Sequence, residues 1–289
     1  MKSGFVSIFG KPNAGKSTLL NTLIQEKLAI VSPKVQTTRH RIKGFLNEPG
    51  VYQIIFSDTP GIIESKYKLH ERMMQAVKSA LEDSDIALLL VDAGDNPESS
   101  DLLFSALKLK GKSLLVINKS DAVGKAKLEY TQTFFKDKLY VQDIITISAL
   151  KQKNIQELLS KIVALLPEAA PFYNDEDLSD LPTRFFVSEL IREHVYALLD
   201  DELPYHSTIL INEFKQQEKL IKIQADIIVQ RESQKAIILG QGGSMIKRLG
   251  IEARQSIESF LQQKIYLQLF VKVRPGWRNS EFMLKEYGY

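Results

Sequence analysis

Apolar runs of four to six residues alternate with longer amphipathic stretches through the first half of the chain. The runs at 5–9, 54–57, 86–91, 114–117 and 144–147 predict strands. Between them, 16–24, 67–81, 99–109, 126–139 and 154–166 carry apolar residues at helical spacing. Strands alternating with helices predict an α/β fold with a mostly parallel, doubly wound sheet. Pro167 stops the last helix, and the acidic stretch 168–182, with Pro171 and Pro182, reads as a linker. Beyond it the order changes to helix (183–199), strands (208–214 and 220–229), helix, glycine turn, helix, strand (265–273) and a short terminal helix. The expected organisation is therefore an α/β domain at 1–167, a linker at 168–182 and a smaller α+β domain at 183–289.

Composition narrows the classes. A chain of 289 residues, 44% hydrophobic and 25% charged, suits two globular cores. It contains no cysteine, which removes disulfides, thiolate metal sites and cysteine nucleophiles, and fits a reducing compartment. The N-terminus lacks the pattern of a secretory signal, so a cytoplasmic location is expected. No apolar run approaches the roughly 20 residues that cross a bilayer. Net charge is only +3, but residues 235–278 hold eight basic side chains against two acidic ones, which makes phosphate a plausible partner there.

Gly10-Lys11-Pro12-Asn13-Ala14-Gly15-Lys16-Ser17 matches GxxxxGK[ST] and lies between a predicted strand and a predicted helix, the context that the motif requires. Its glycines let the backbone wrap a phosphate chain, and the helix N-terminus adds a favourable field. Lys16 is placed to reach the β and γ phosphates, Ser17 to offer a hydroxyl to Mg²⁺, and Thr18 to donate to the α phosphate. Asp58-Thr59-Pro60-Gly61 follows the second predicted strand, where Asp58 meets the magnesium shell and Gly61 presents an amide to the γ phosphate.

Asn118-Lys119-Ser120-Asp121 selects the base. An ionised carboxylate only accepts, so Asp121 matches the N1–H and 2-amino donors of guanine, which adenine lacks. Asn118 ties neighbouring loops, and the Lys119 stem covers the ring face. Ser148-Ala149-Leu150, after the fifth predicted strand, offers the Ala149 amide to guanine O6.

These motifs, in this order, resemble the TRAFAC-class GTPases of the translation-factor-related group. The resemblance implies a switch threonine between the phosphate loop and Asp58, and Gln36-Thr37-Thr38-Arg39-His40-Arg41 offers both Thr37 and Thr38 as the residue that touches Mg²⁺ and the γ phosphate. Arg39 and Arg41 read first as solvated loop charges, with catalytic or RNA contact as the alternative. Ile62 stands where Ras-like GTPases place a water-orienting glutamine, which implies slow intrinsic turnover.

In the second domain, Gly240-Gln241-Gly242-Gly243 lies between two helical segments, with Lys235 before it and Lys247 and Arg248 one turn beyond. Ile237, Ile238, Ile246 and Leu249 nearby are core residues or liners of a groove, and Trp277 reads as a packing cap. The element order and basic excess resemble a type II KH domain, which clamps single-stranded RNA through GxxG. The combination, ending in Val271-Lys272-Val273-Arg274-Pro275-Gly276-Trp277, closely resembles the Era family of GTPases. The resemblance implies GTP/GDP and Mg²⁺ as ligands and single-stranded RNA near the 3′ end of small-subunit ribosomal RNA as partner. It further implies a role in assembling the small ribosomal subunit, a monomeric state and peripheral contact with the inner membrane face. The acidic residues Asp175, Glu176 and Asp177 are expected to compete with RNA for the basic groove when GTP is absent.

Overall fold

The structure is a computed structural model that describes every residue except Lys110 and Lys219. It divides into two compact units, one of Met1–Ser65 with His70–Asp180, the other of Leu181–Tyr289 with Lys66–Leu69.

The first unit is built on six strands, β1 (Lys2–Gly10), β2 (Ile42–Glu48), β3 (Tyr52–Asp58), β4 (Ile86–Asp92), β5 (Lys112–Asn118) and β6 (Asp143–Thr146), in the order β2-β3-β1-β4-β5-β6. Every neighbouring pair is parallel except β2 and β3, which run antiparallel. Five strands match the apolar runs. The sixth, β2, carries Lys43, Gly44 and Asn47 among its seven residues, so no apolar run announces it. Around the sheet lie α1 (Lys16–Ile24), α2 (Lys68–Asp83), α3 (Pro97–Ser105), α4 (Lys125–Phe135) and α5 (Ile155–Leu165). Ile8, Phe9, Leu88, Leu89, Leu115 and Val116 are wholly buried, as expected of central parallel strands covered on both faces. The carboxyl ends of β1, β3, β5 and β6 carry the four motif loops, which places them together beyond one edge of the sheet.

The acidic stretch after α5 is not slack chain. The Ser3 amide donates to the Pro167 carbonyl at 3.1 Å, the Phe172 and Tyr173 amides donate to Gln53 Oε1, and the Phe45 amide donates to the Leu178 carbonyl at 2.9 Å. Lys43 pairs with Asp180 at 2.7 Å. Residues 168–180 therefore run along β1, β3 and β2 as part of the first unit.

The second unit comprises α6 (Thr183–Leu198), α7 (Leu203–His206), β7 (Thr208–Gln216), β8 (Ile221–Val229), α8 (Glu232–Leu239), α9 (Ser244–Leu261), β9 (Ile265–Val273) and α10 (Glu281–Glu286). Its sheet order is β7-β8-β9, with β7 antiparallel and β9 parallel to β8. One sheet face packs with Val187, Ile191, Ile238, Leu249 and Ile257 from the helices into a single core. Trp277 is fully buried, donates from Nε1 to the His206 carbonyl at 3.1 Å and stacks on Tyr289, which makes it a packing cap.

Candidate functional site

Pro12, Asn13, Gly15, Lys16 and Ser17 of the phosphate loop line a cavity of about 460 Å³ together with Thr18, Thr38, Gly61, Asn118, Lys119, Asp121, Ser148 and Leu150. Gly15 opens α1 at φ 97°, and a side chain there would meet Asn118 Nδ2 at 2.4 Å. A Cβ on Gly61 would meet Pro12 at 2.8 Å, so the Asp58–Gly61 turn approaches the phosphate loop only without one. Lys16 is buried and donates from Nζ to the Lys11 carbonyl at 2.8 Å and the Gly10 carbonyl at 3.2 Å.

Three oxygens converge beside it. The Ser17 hydroxyl donates to Asp58 Oδ2 at 2.6 Å, Thr38 Oγ1 donates to the same oxygen at 3.2 Å, and the two hydroxyls are 2.8 Å apart. Thr37 also lines the cavity, but its hydroxyl donates to the Lys34 carbonyl at 2.6 Å. Asp58 Oδ1 is buried with no hydrogen-bond partner. Hard oxygen donors and an unsatisfied carboxylate oxygen fit Mg²⁺. Among the described residues no group of three or more His, Cys, Asp or Glu side chains could hold a metal ion.

Burial disfavours both charges of the site. Burial pushes Lys16 down to about 8, against the pull of Asp58, and burial pushes the Asp58 carboxyl up, against Lys16, Ser17 and Thr38. A phosphate chain with a divalent cation would relieve both, because each supplies the opposite charge to a desolvated group.

At the base end, Asn118 Nδ2 donates to the Ala14 carbonyl at 2.9 Å, and Asn118 Oδ1 accepts from the Ala149 amide at 3.0 Å. The amide expected to read guanine O6 is thus engaged by Asn118, which locks the phosphate loop to the 148–150 loop. The Asp121 carboxyl is held below the usual carboxylate range by the Ser148 hydroxyl, so it stands ionised as an acceptor. Lys119 Nζ pairs with Asp92 at 2.6 Å, and Thr59 anchors its turn through the Ile8 carbonyl at 2.7 Å.

In the second unit, Gly240, Gly242 and Gly243 take φ of 69°, 58° and 79°, which side chains rarely adopt, and they turn the chain from α8 into α9. Lys247 and Arg248 are exposed one turn into α9, and Arg248 pairs with Glu252 at 2.8 Å. Ile238 and Leu249 belong to the core, while Ile237 stays exposed beside the turn and Ile246 is partly buried.

Comparison with known proteins matches both parts of the chain. A family model described as a 50S ribosome-binding GTPase matches residues 5–119, and a KH domain model matches residues 202–278. GTPase Era of Geobacter sp. (strain M21) is 42% identical over 292 residues, covering 100% of this chain and 98% of its own. GTPase Era of Thermoanaerobacter sp. (strain X514) is 40% identical, with 100% of this chain and 96% of its own covered. The chain belongs to the Era family of GTPases. A crystal structure of Era in complex with MgGDPNP and nucleotides 1506–1542 of 16S ribosomal RNA superposes with a TM-score of 0.94 and 40% identity, covering 100% of this chain and 99% of that one. A variant of Aquifex aeolicus Era bound to GDP and AlF4⁻ gives a TM-score of 0.95 at 40% identity, over 100% of this chain and 99% of that one.

Against this Era framework several sequence expectations change. Arg39 is buried, and Arg41 donates to Ser57 Oγ at 3.1 Å and pairs with Asp83 at 2.6 Å, so neither is a solvated loop charge. Ile62 packs on the core beside Phe9 and Phe104 and presents no polar group. Gln36, which opens the switch segment, also lines the cavity; so do Ile30, Val31, Ser32 and Pro33, which form no motif, and only their place between α1 and the switch threonines could have pointed to them.

Proposed function

We propose that this protein is a Mg²⁺-dependent GTPase switch that binds single-stranded RNA near the 3′ end of small-subunit ribosomal RNA and acts in assembly of that subunit. The observation that carries the reading is the convergence of Ser17, Thr38 and Asp58 beside a buried Lys16, on a chain that matches an Era–MgGDPNP–RNA complex from end to end. Lys16 holds the β and γ phosphates, Ser17 and Asp58 hold the cation, and Thr38 senses the γ phosphate, so that its loss releases the switch loop. Bound Mg²⁺ would neutralise charge developing on the phosphate oxygens. Asp121 selects guanine, and Ile62 leaves water positioning to other groups, which keeps intrinsic turnover slow.

The glycine turn clamps the RNA backbone, with Lys235, Lys247 and Arg248 meeting phosphates. Linkage then makes the two ligands cooperate: if GTP raises RNA affinity, RNA raises GTP affinity by the same factor. No helix among the described residues is long and apolar enough to cross a membrane. A cytoplasmic monomer, with peripheral contact at the inner membrane face, is the setting that Era family membership supports.

Titration of a labelled RNA 3′-end oligonucleotide into protein loaded with a non-hydrolysable GTP analogue, GDP or nothing tests this reading. Tighter binding with the analogue is expected, and Gly242→Asp plus Gly243→Asp should abolish binding of an oligonucleotide just long enough to fill the glycine-turn groove. A Cβ at either glycine meets open space, but the residue must adopt the left-handed φ of the turn, so Gly242→Ala plus Gly243→Ala serves as the control that separates backbone strain from the repulsion of phosphates by the added carboxylates. Equal affinity in all three states would break the coupling, and no RNA binding at all would overturn the second half of the proposal.

A further inference from the structure

The second unit's sheet has an outer face that the glycine turn does not use. Strand residues alternate between faces, and Ile265, Leu267, Leu269 and Val271 of β9 point into the core. Tyr266, Gln268, Phe270 and Lys272 therefore share the other side, in register with Lys222, Gln224, Asp226 and Ile228 of β8. At one end the face is closed: Ile228 and Thr208 are buried, and Thr208 is hydrogen-bonded to the Tyr289 hydroxyl at 3.0 Å. Further along, two rings stand in water, Tyr266 at 49% and Phe270 at 48% exposure.

Four residues apart on one strand, the rings are separated by roughly 13 Å. The space between them is a row of fixed amides. Gln224 Nε2 donates to Gln268 Oε1 at 2.8 Å, and Gln268 Nε2 donates to the Tyr266 hydroxyl at 3.1 Å, which orients that ring. The charges are layered. Glu213, with 17% of its side chain exposed, lies between Lys215 at 3.0 Å and Lys222 at 3.4 Å, and Asp226, at 3%, holds Lys272 at 2.6 Å. Three lysines against two carboxylates leave the face a single net positive charge, and the lysines are outermost, with Lys215 at 71% and Lys272 at 48% exposure.

We propose that this face is a second platform for single-stranded nucleic acid, on which Tyr266 and Phe270 each stack one unpaired base while the lysines meet phosphates. Every base has a π-face, so such a platform tolerates sequence, and the intervening amides offer hydrogen bonds to base edges. The proposal goes beyond the glycine-turn reading and stands independently of it. An anionic lipid surface would also meet rings and lysines, but burying the amide row against acyl chains would leave its polarity unmatched, which favours RNA.

The test uses the full chain and labelled single-stranded RNA of two lengths, one that fills the glycine-turn groove alone and one long enough to reach both faces. Tyr266→Ala with Phe270→Ala is expected to weaken the long RNA about tenfold or more, leaving the short RNA and GTP bound as before. Tyr266→Phe with Phe270→Tyr keeps both rings and should bind like the parent, which separates lost stacking from lost fold. In a Gly242→Asp, Gly243→Asp background, salt-dependent binding of the long RNA should persist and vanish when both rings are removed. Unchanged affinity for the long RNA in the ring-less chain would overturn the proposal, and so would an equal loss for the short RNA. Lost binding to phosphatidylserine vesicles with RNA affinity intact would assign the face to a membrane instead.

Discussion

Thr38 Oγ1 lies 3.2 Å from Asp58 Oδ2, although the two residues are 20 positions apart in the chain. The β2–β3 hairpin makes the meeting, since Ile42 pairs with Asp58 in its register and so carries the preceding loop back to the end of β3. The Thr37 hydroxyl bonds instead to the Lys34 carbonyl. Thr38→Ala should therefore remove the preference for GTP analogue over GDP and slow hydrolysis about tenfold or more, whereas Thr37→Ala should stay within about threefold, the loss of one ordinary hydrogen bond. Nucleotide affinities and single-turnover rates for the two variants would decide. Equal defects would mean that the loop is rearranged when nucleotide binds.

Asp121 is ionised and accepts only, which matches two donors on guanine. Asp121→Asn presents an N–H group where the 2-amino group lies and should lower GTP affinity about a hundredfold, because a buried donor then faces a donor. Xanthine carries an oxygen at that position, so xanthosine nucleotides should gain what GTP loses. Competition against a labelled guanine nucleotide measures both. Unchanged preference would show that the ring is read elsewhere in the pocket.

Burial pushes Lys16 down to about 8, because it disfavours the ammonium. Its folded value lies below its unfolded one, so between about pH 8 and pH 10.5 the unfolded chain holds more of this proton, and the stability contribution rises with pH across that window. Below about pH 8 the burial penalty is present in full. Phosphate restores the charge, so nucleotide binding near pH 9 should take up close to one proton per site. Calorimetry in two buffers of different ionisation enthalpy reads that uptake directly. Identical heats in the two buffers would show that Lys16 keeps its proton without phosphate.

The motif residues Lys16, Ser17, Asp58 and Asn118 were legible because local rules specify them: each occupies a fixed place just after an apolar strand, and glycine spacing sets the turn. Thr37 and Thr38 could not be separated, since the choice depends on β2, an edge strand whose Lys43 and Asn47 break any apolar run. Edge strands bury less, so their sequences carry a weaker signal. Arg41 looked solvated because its partners Ser57 and Asp83 are remote in sequence. Ala149 was assigned to the base by position alone, and the competing acceptor on Asn118 is visible only in three dimensions. Tyr266 and Phe270 appeared as ordinary strand residues, since strand periodicity alone does not reveal which face is left in water.

The stretch after α5 supplies the last prediction. Tyr173 stacks on buried Phe45 with ring centroids 4.0 Å apart and planes at 23°, while its backbone and that of Phe172 bond to Gln53. This contact fastens the acidic stretch to β2, the strand that positions Thr38. Tyr173→Ala should cost the first unit about 1–2 kcal/mol, from the lost ring pair and partial burial, and Tyr173→Phe should cost little because the stack survives. Hydrogen exchange of the β2 amides should accelerate in the alanine variant, with exchange in β7–β9 unchanged. If β2 remains protected and the thermal midpoint does not move, the stretch rests on the sheet without supporting it. Its acidic residues would then be free to act elsewhere, including as competitors for the basic groove.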